Sequence, residues 1–199
     1  MKQRSLRDLT VSEIGLGCMP MSWAYAVADV DPEEVAATLR RAVELGVTLL
    51  DTADVYGPFT NEMLIREYVV DAGLRDQVTI ATKGGLVPID ATNYGRNGRP
   101  DDIRAACDAS LERLGVDMID LYQLHRIDPD VPVEETWGAM ADLVATGKVS
   151  YLGLSEASVE EILVADSIHP VTSVQSELSL WTDENVVNGV LNLCEERGI

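Results

Sequence analysis

The chain has 199 residues, 34 of them acidic and 15 basic, for a formal net charge of −19; apolar residues make up 46% and charged residues 25%. These proportions describe a globular chain with a sizeable core, expected to form one domain over residues 1–199, and they exclude intrinsic disorder. The acidic balance excludes nucleic acid, which binds basic surfaces by counterion release, and it excludes an anionic membrane surface.

Met1 to Thr10 is polar and charged, without the apolar centre of a signal peptide, and no stretch approaches the roughly 18 apolar residues of a membrane helix. A cytoplasmic location is therefore expected. Arg4 to Thr10 reads as a short hairpin or bottom cap ahead of the first strand. Short apolar runs then alternate with amphipathic stretches. The runs are Ile14–Met19, Val47–Leu50, Val78–Ala81, Met118–Leu124, Val149–Leu154 and Val171–Gln175. Their length and Val, Ile and Leu content mark buried parallel strands.

Helices fill the intervals. Asp31-Pro32-Glu33-Glu34 supplies an N-cap, a proline at the first turn and acidic residues, and Val35, Leu39, Ala42 and Val43 form one apolar face before Gly46. A second helix is expected over 60–70. A third starts at Pro100 and ends at Gly115, with Ile103, Cys107, Leu111 and Leu114 in phase. A fourth starts at Pro132, carries Trp137 as a core residue and stops at Gly147. Ser158 and Glu161 form a capping box for a fifth, and a sixth covers about 184–197 with Gly198 at its C-cap. Six βα units imply a parallel sheet, either doubly wound or a (β/α) barrel.

Several site types are absent from the pattern. Gly15-Leu16-Gly17 has two glycines of a dinucleotide loop but lacks the third, and no helix follows at once, so packing at a strand end is the better reading. Gly147-Lys148 lacks the rest of a P-loop. Cys18, Cys107 and Cys194 are isolated, and His125 and His169 cannot build a zinc cluster.

The informative residues stand just past the strands: Asp51 and Tyr56, then Lys83, then His125, then Ser155 and Glu156, then Gln175 and Glu177. In a parallel barrel all these strand ends share one face, where active sites form. Singly, each has a plain structural reading. An aspartate after a strand often caps a helix, a histidine ending a strand is as often a satisfied core group, and a lysine is normally solvated. Together they suit proton delivery to a carbonyl oxygen. Tyrosine is a poor acid near neutral pH, a nearby ammonium such as Lys83 stabilises its phenolate, Asp51 can hold that ammonium, and His125 can orient the oxygen. Trp23 and Trp181 follow strand ends and could wall a substrate pocket with His125. Hydride must come from a cofactor.

The segments Leu50-Asp51-Thr52-Ala53-Asp54-Val55-Tyr56-Gly57, Asn61-Glu62, Ala81-Thr82-Lys83, Leu111-Glu112-Arg113-Leu114-Gly115, Asp120-Leu121-Tyr122-Gln123-Leu124-His125, Leu152-Gly153-Leu154-Ser155 and Val174-Gln175-Ser176-Glu177 resemble the aldo-keto reductase superfamily. Gly57 to Glu62 and His125-Arg126 are similar to microbial reductases related to potassium-channel β-subunits. The resemblance implies a (β/α)₈ barrel reducing an aldehyde or ketone with NADPH. It implies Tyr56 as proton donor, Lys83 as the residue lowering its pKa, Asp51 as partner of Lys83 and toucher of the nicotinamide ribose, and His125 as carbonyl orienter. It assigns Ser155, Glu156 and Gln175 to the nicotinamide carboxamide region.

Two positions depart from the family pattern: Leu178 stands where relatives commonly stack a tyrosine on the nicotinamide, and Asp183 stands where many carry a basic residue. A full barrel takes about 250 residues, so the chain is expected to be C-terminally truncated at about six of eight βα units, without the segment that grips the adenosine phosphates. Self-association through open sheet edges is the expected partner behaviour. The alternative to an enzyme is a non-catalytic fragment or an NADPH-binding regulatory module.

Overall fold

The computed structural model describes residues 1–24, 30–90 and 93–199. An N-terminal hairpin, β1 (Gln3–Leu6) and β2 (Leu9–Ser12), turns at Arg7, whose φ is +50°. β3 (Leu16–Gly17) is followed by α1 (Pro32–Glu44), and β4 (Leu49–Asp51) by α2 (Asn61–Ile65), which continues as a wider π turn over Arg66–Val70. β5 (Thr79–Gly84) leads into a second hairpin, β6 (Leu86–Pro88) and β7 (Tyr94–Arg96), then α3 (Pro100–Leu114). β8 (Ile119–Leu124), α4 (Val133–Ala145), β9 (Val149–Ser155), α5 (Val159–Ile168) and β10 (Ser173–Gln175) complete the repeat, and α6 (Glu184–Val187) and α7 (Val190–Arg197) follow.

The main sheet has six parallel strands in the order β3-β4-β5-β8-β9-β10. Spatial order equals chain order, with no reversal. A doubly wound sheet requires a switch point where the order turns back, so its absence selects the barrel architecture. The chain thus builds six consecutive units of an incomplete (β/α) barrel.

The helices start where the sequence places them. Asp31 accepts a bond from the Glu33 N–H at 2.9 Å, and Ser158 and Glu161 make both bonds of the capping box. Their apolar faces bury Leu39, Ile103, Leu114, Met140 and Ile162 against Leu50, Ile80, Tyr122, Leu124 and Leu152 of the sheet. Trp137 is fully buried, and its Nε1 donates to the His169 carbonyl at 2.9 Å. On the other side of the sheet, Leu9 and Val11 of the hairpin pack on Ala81 and Leu121 and floor the barrel. Reciprocal bonds of 2.8 and 2.9 Å between Ser12 and Thr48 fix that floor to the start of β4.

Several boundaries differ from expectation. The helix expected over 60–70 splits because its last turn has i→i+5 bonding, with the Asp71 N–H on the Arg66 carbonyl; over two turns a π period is indistinguishable from an α period in an apolar pattern. The helix expected over 184–197 breaks at Gly189, where φ is +91°, and Asn188 caps the new start by accepting from the Val190 N–H. The first strand keeps only Leu16–Gly17 of the Ile14–Met19 run, with Ile14 exposed. The β6–β7 hairpin has no counterpart in the sequence reading.

Gly84 is a close approach between strand and helix layers: a Cβ there would collide with the buried Tyr122 hydroxyl and come within 3.5 Å of Ala106. Gly84→Ala is expected to destabilise the chain by about 1–3 kcal/mol through overpacking, read as a lower urea midpoint; an unchanged midpoint would contradict that packing.

Candidate active site

Three strand ends deliver the four central side chains. Asp51 closes β4, Lys83 is the penultimate residue of β5, and His125 follows β8 directly with its N–H on the Gly84 carbonyl at 2.9 Å. Tyr56 comes from the loop after β4. That loop is pinned at successive points: the Thr52 N–H donates to the Ala81 carbonyl at 2.8 Å and the Asp54 N–H to the Lys83 carbonyl at 3.1 Å. Gly57, at φ +79°, lets the chain turn in space where a Cβ would sit 2.6 Å from the Ser22 hydroxyl.

Asn61 and Glu62 brace the loop from beneath. The Asn61 Oδ1 accepts from the Thr52 hydroxyl at 2.6 Å, while its Nδ2 donates to the Cys18 carbonyl at 2.9 Å and the Ser22 hydroxyl at 2.7 Å. Glu62 accepts from the Thr82 hydroxyl and from the Arg113 Nε, each at 2.6 Å. Both side chains are fully buried. They join the ends of β3, β4 and β5 to α2 and α3.

On this base the tetrad converges. The Lys83 ammonium lies 2.7 and 2.8 Å from the two Asp51 carboxylate oxygens, 2.9 Å from the Thr52 carbonyl and 3.4 Å from the Tyr56 hydroxyl. It is 1% exposed. Tyr56 meets the His125 ring edge-on at 5.8 Å between centroids and stacks on Trp23 at 5.3 Å; Trp23 in turn meets Tyr94 edge-on. Burial pushes the Tyr56 phenol above its usual 10, outweighing the opposing pull of the Lys83 charge, so the hydroxyl holds its proton at neutral pH. Burial, reinforced by the Lys83 and Arg126 charges, pushes His125 down to about 3 and keeps the ring neutral. Its Nδ1 is buried without a hydrogen-bond partner. Beside the tetrad, burial and the neighbouring Glu62 raise Asp54 to about 7, against the pull of Arg113 and Lys83.

The remaining expected residues are dispersed. Ser155 ends β9, buried, with its hydroxyl accepting from Arg126 Nη1 at 2.9 Å. Glu156, at φ +53°, takes the Glu177 N–H on its carboxylate at 2.8 Å. Gln175 is exposed at the end of β10. Trp23 joins the tetrad; Trp181 does not, being 85% exposed beside the equally open Leu180.

A cleft of about 380 Å³ opens inside the sheet and meets the tetrad at Asp51. Gln123, Gln175, Ser176 and Leu178 line it. The Ser176 hydroxyl and the Gln123 Oε1 are buried there without partners. Unused polar atoms beside an apolar wall fit an amide-bearing ring such as nicotinamide. Leu178 supplies apolar contact and no aromatic face. Among the described residues no group of His, Cys, Asp and Glu could hold a metal ion, and no helix is long and apolar enough to cross a membrane.

The sequence reading did not include Tyr94. Asp54, Asn61, Glu62, Arg113 and Arg126 entered it only as part of a resemblance.

A sequence model of the Aldo/keto reductase family matches residues 13–199. The chain superposes with a TM-score of 0.82 on a glycerol dehydrogenase from Gluconobacter oxydans, at 28% identity over 96% of this chain and 58% of that one. It superposes at 0.84 on a thermostable aldo-keto reductase in complex with the inhibitor epalrestat, at 27% identity over 100% of this chain and 70% of that one. It superposes at 0.85 on the holo form of an aldo-keto reductase from Bacillus halodurans, at 31% identity over 100% of this chain and 64% of that one. The chain therefore spans between 58% and 70% of the length of these structures.

The depressed His125 has a definite pH signature. Unfolded histidine titrates near 6.5 and the folded ring near 3, so between those values the unfolded chain binds more protons, and stability from this site falls as the pH drops from 6.5 toward 3. NMR of the ring proton, assigned with a His169→Gln variant, should show no His125 titration between about pH 5 and 8; a midpoint near 6.5 would contradict the neutral buried ring.

Proposed function

The chain belongs to the aldo/keto reductase family, and from that premise we propose that it serves as a cytoplasmic oxidoreductase that reduces the carbonyl of a small aldehyde or ketone to an alcohol, with NADPH as the reductant. The observation that carries the reading is the Asp51–Lys83–Tyr56–His125 constellation, in which a protonated phenol stands 3.4 Å from a buried, carboxylate-paired ammonium.

When bound, NADPH supplies the hydride that the side chains cannot. Tyr56 holds the proton that the developing alkoxide takes from its hydroxyl. The Lys83 ammonium lies at hydrogen-bond range of that hydroxyl and stabilises the phenolate left behind. Asp51 and the Thr52 carbonyl fix the ammonium, so its charge needs no rearrangement when the phenolate forms. His125, neutral and edge-on to Tyr56, is an orienting donor to the carbonyl oxygen and not the acid. Trp23 and Tyr94 close the apolar side of the pocket and keep water from the phenol. Asp51, Ser155, Glu156 and Gln175 would hold the ribose and carboxamide of the cofactor, with Ser176 and Gln123 offering unpartnered polar atoms in the same cleft.

β3 and β10 are each bonded to a neighbour on one side only in the sheet of the described residues. Such edges pair readily with other strands, and the 199-residue polypeptide is proposed to self-associate through them; sedimentation velocity should show concentration-dependent oligomers, and a single monomeric species across micromolar concentrations would count against it.

Tyr56→Phe keeps the ring that stacks on Trp23 and removes the acid. It is expected to lower kcat for a generic aldehyde by about 10²–10⁴-fold while NADPH affinity, followed by protein fluorescence, stays close to the parent. Turnover within twofold of the parent would remove Tyr56 from the donor role. Equal NADPH binding in parent and variant, with no tetrad-dependent turnover in either, would mark the chain as a binding module.

A further inference from the structure

His125 is followed by an arginine whose position the proton-transfer chemistry does not explain. Arg126 is half-buried at the mouth of the barrel between β8 and β9. Its Nη1 donates to the His125 carbonyl at 2.6 Å and to the Ser155 hydroxyl at 2.9 Å, so the guanidinium is held in place by two groups of the site itself. The chain carries 34 carboxylate side chains, yet among the described residues none forms an ion pair with Arg126, while eight other arginines do form such pairs. Its Nε and Nη2 have no acceptor among the described residues either, which leaves the side-on edge of the fork unused.

The charges around it make this cation stand out. The Lys83 ammonium is neutralised at 2.7 Å by Asp51. The Glu156 carboxylate is engaged by the Glu177 N–H. Arg126 is thus a cation beside the reacting groups with no carboxylate paired to it among the described residues, and its field reaches both, favouring ionised Tyr56 and neutral His125. A chain of net charge −19 repels anions at long range, so an anion that does bind needs a local, preorganised cation. Guanidinium binds carboxylates in a planar two-bond fork, and a partly dried site strengthens that pairing.

We propose that Arg126 is a specificity-determining residue that binds a carboxylate on the substrate, so that the preferred substrates are carbonyl compounds bearing an acid group near the reacting carbon. The proposal rests on the reductase reading above and adds the substrate class to it.

The experiment compares para-carboxybenzaldehyde with para-tolualdehyde, which differ in the charged group and little in shape. Binding to the chain in the presence of NADPH is measured by isothermal titration calorimetry, and NADPH consumption is followed with each aldehyde. The parent is expected to prefer the carboxylate, and Arg126→Met to reduce that preference, as a ratio of affinities, by about 10–100-fold, the loss of a charge-assisted pair. Arg126→Lys should restore part of it, because the charge returns without the fork. A purely structural role would weaken both aldehydes together and leave the ratio unmoved, which would overturn the proposal. Turnover of both aldehydes with equal preference in the parent also overturns it while sustaining the reductase reading. Selective, Arg126-dependent binding of the carboxylate without turnover sustains the proposal and counts against the reductase reading. Binding of neither aldehyde overturns the proposal.

Discussion

A lysine ammonium removed almost wholly from water costs several kcal/mol unless oppositely charged and polar groups replace its hydration. Lys83 meets that condition with three ligands: the Asp51 carboxylate, the Thr52 carbonyl and the Tyr56 hydroxyl. Much of the upper half of the molecule follows from the requirement. Asp51 must end its strand level with Lys83, so β4 and β5 pair with Asp51 opposite Ala81, one inward-facing position below Lys83. The chain after Asp51 must turn so that the Thr52 carbonyl and the Tyr56 hydroxyl face the same ammonium.

Holding that turn falls to residues that need not touch a substrate. Asn61 binds the chain after β3 and the first loop residue after β4, and Glu62 binds β5 and α3. Arg113 is the counter-charge for Glu62, and Asp54 shares its neighbourhood. Two carboxylates beside one guanidinium in a dry interior cannot both ionise at low cost, and Asp54 is the one that retains a proton up to about neutral pH. In the unfolded chain it would ionise near 3.8, so between 3.8 and about 7 the folded chain binds more protons, and stability from this group declines as the pH rises through that window. The trend runs opposite to that of His125. Between about pH 3.8 and 6.5 the two contributions oppose each other, and both groups feel the charge of the same lysine.

Legibility in the sequence followed the strength of local signals. Apolar runs located six strands, and position after a strand located Asp51, Lys83 and His125, because a parallel barrel gives every strand end the same address. Chain order alone could not choose between a barrel and a doubly wound sheet; the strand pairing chose. Tyr56 was marked by the same strand end, five residues past Asp51, but its placement was not, since it sits in a loop held through the bond from the Thr52 hydroxyl to Asn61. The net direction of its pKa was not legible at all. Composition shows a lysine that lowers it, whereas burial, a property of the folded state, raises it more. Trp181 misled for the reverse reason: an aromatic residue after a strand resembles a pocket wall, but the segment from Leu178 to Trp181 packs little of its surface. The β6–β7 hairpin, with Pro88 and Gly95 in its strands, lacks the alternation that betrays a ribbon, yet it supplies Tyr94 to the site.

The unbroken strand order carries a consequence for how the molecule comes into being. Each strand of the main sheet pairs with the strand preceding it in that sheet, so partners emerge from the ribosome in the order in which they dock. The four residues of the tetrad lie within the first 125 positions, on or just after β4, β5 and β8. None of the contacts among the four uses a residue of β9 or of β10, the strand that lines the cleft. Contacts that wait for the later segments include Arg126 on the Ser155 hydroxyl, the Arg7 side chain on Asp166, and the Arg7 N–H on the Gly198 carbonyl at 2.7 Å. The proton-transfer residues thus leave the ribosome before β10, the strand that lines the cleft beside them.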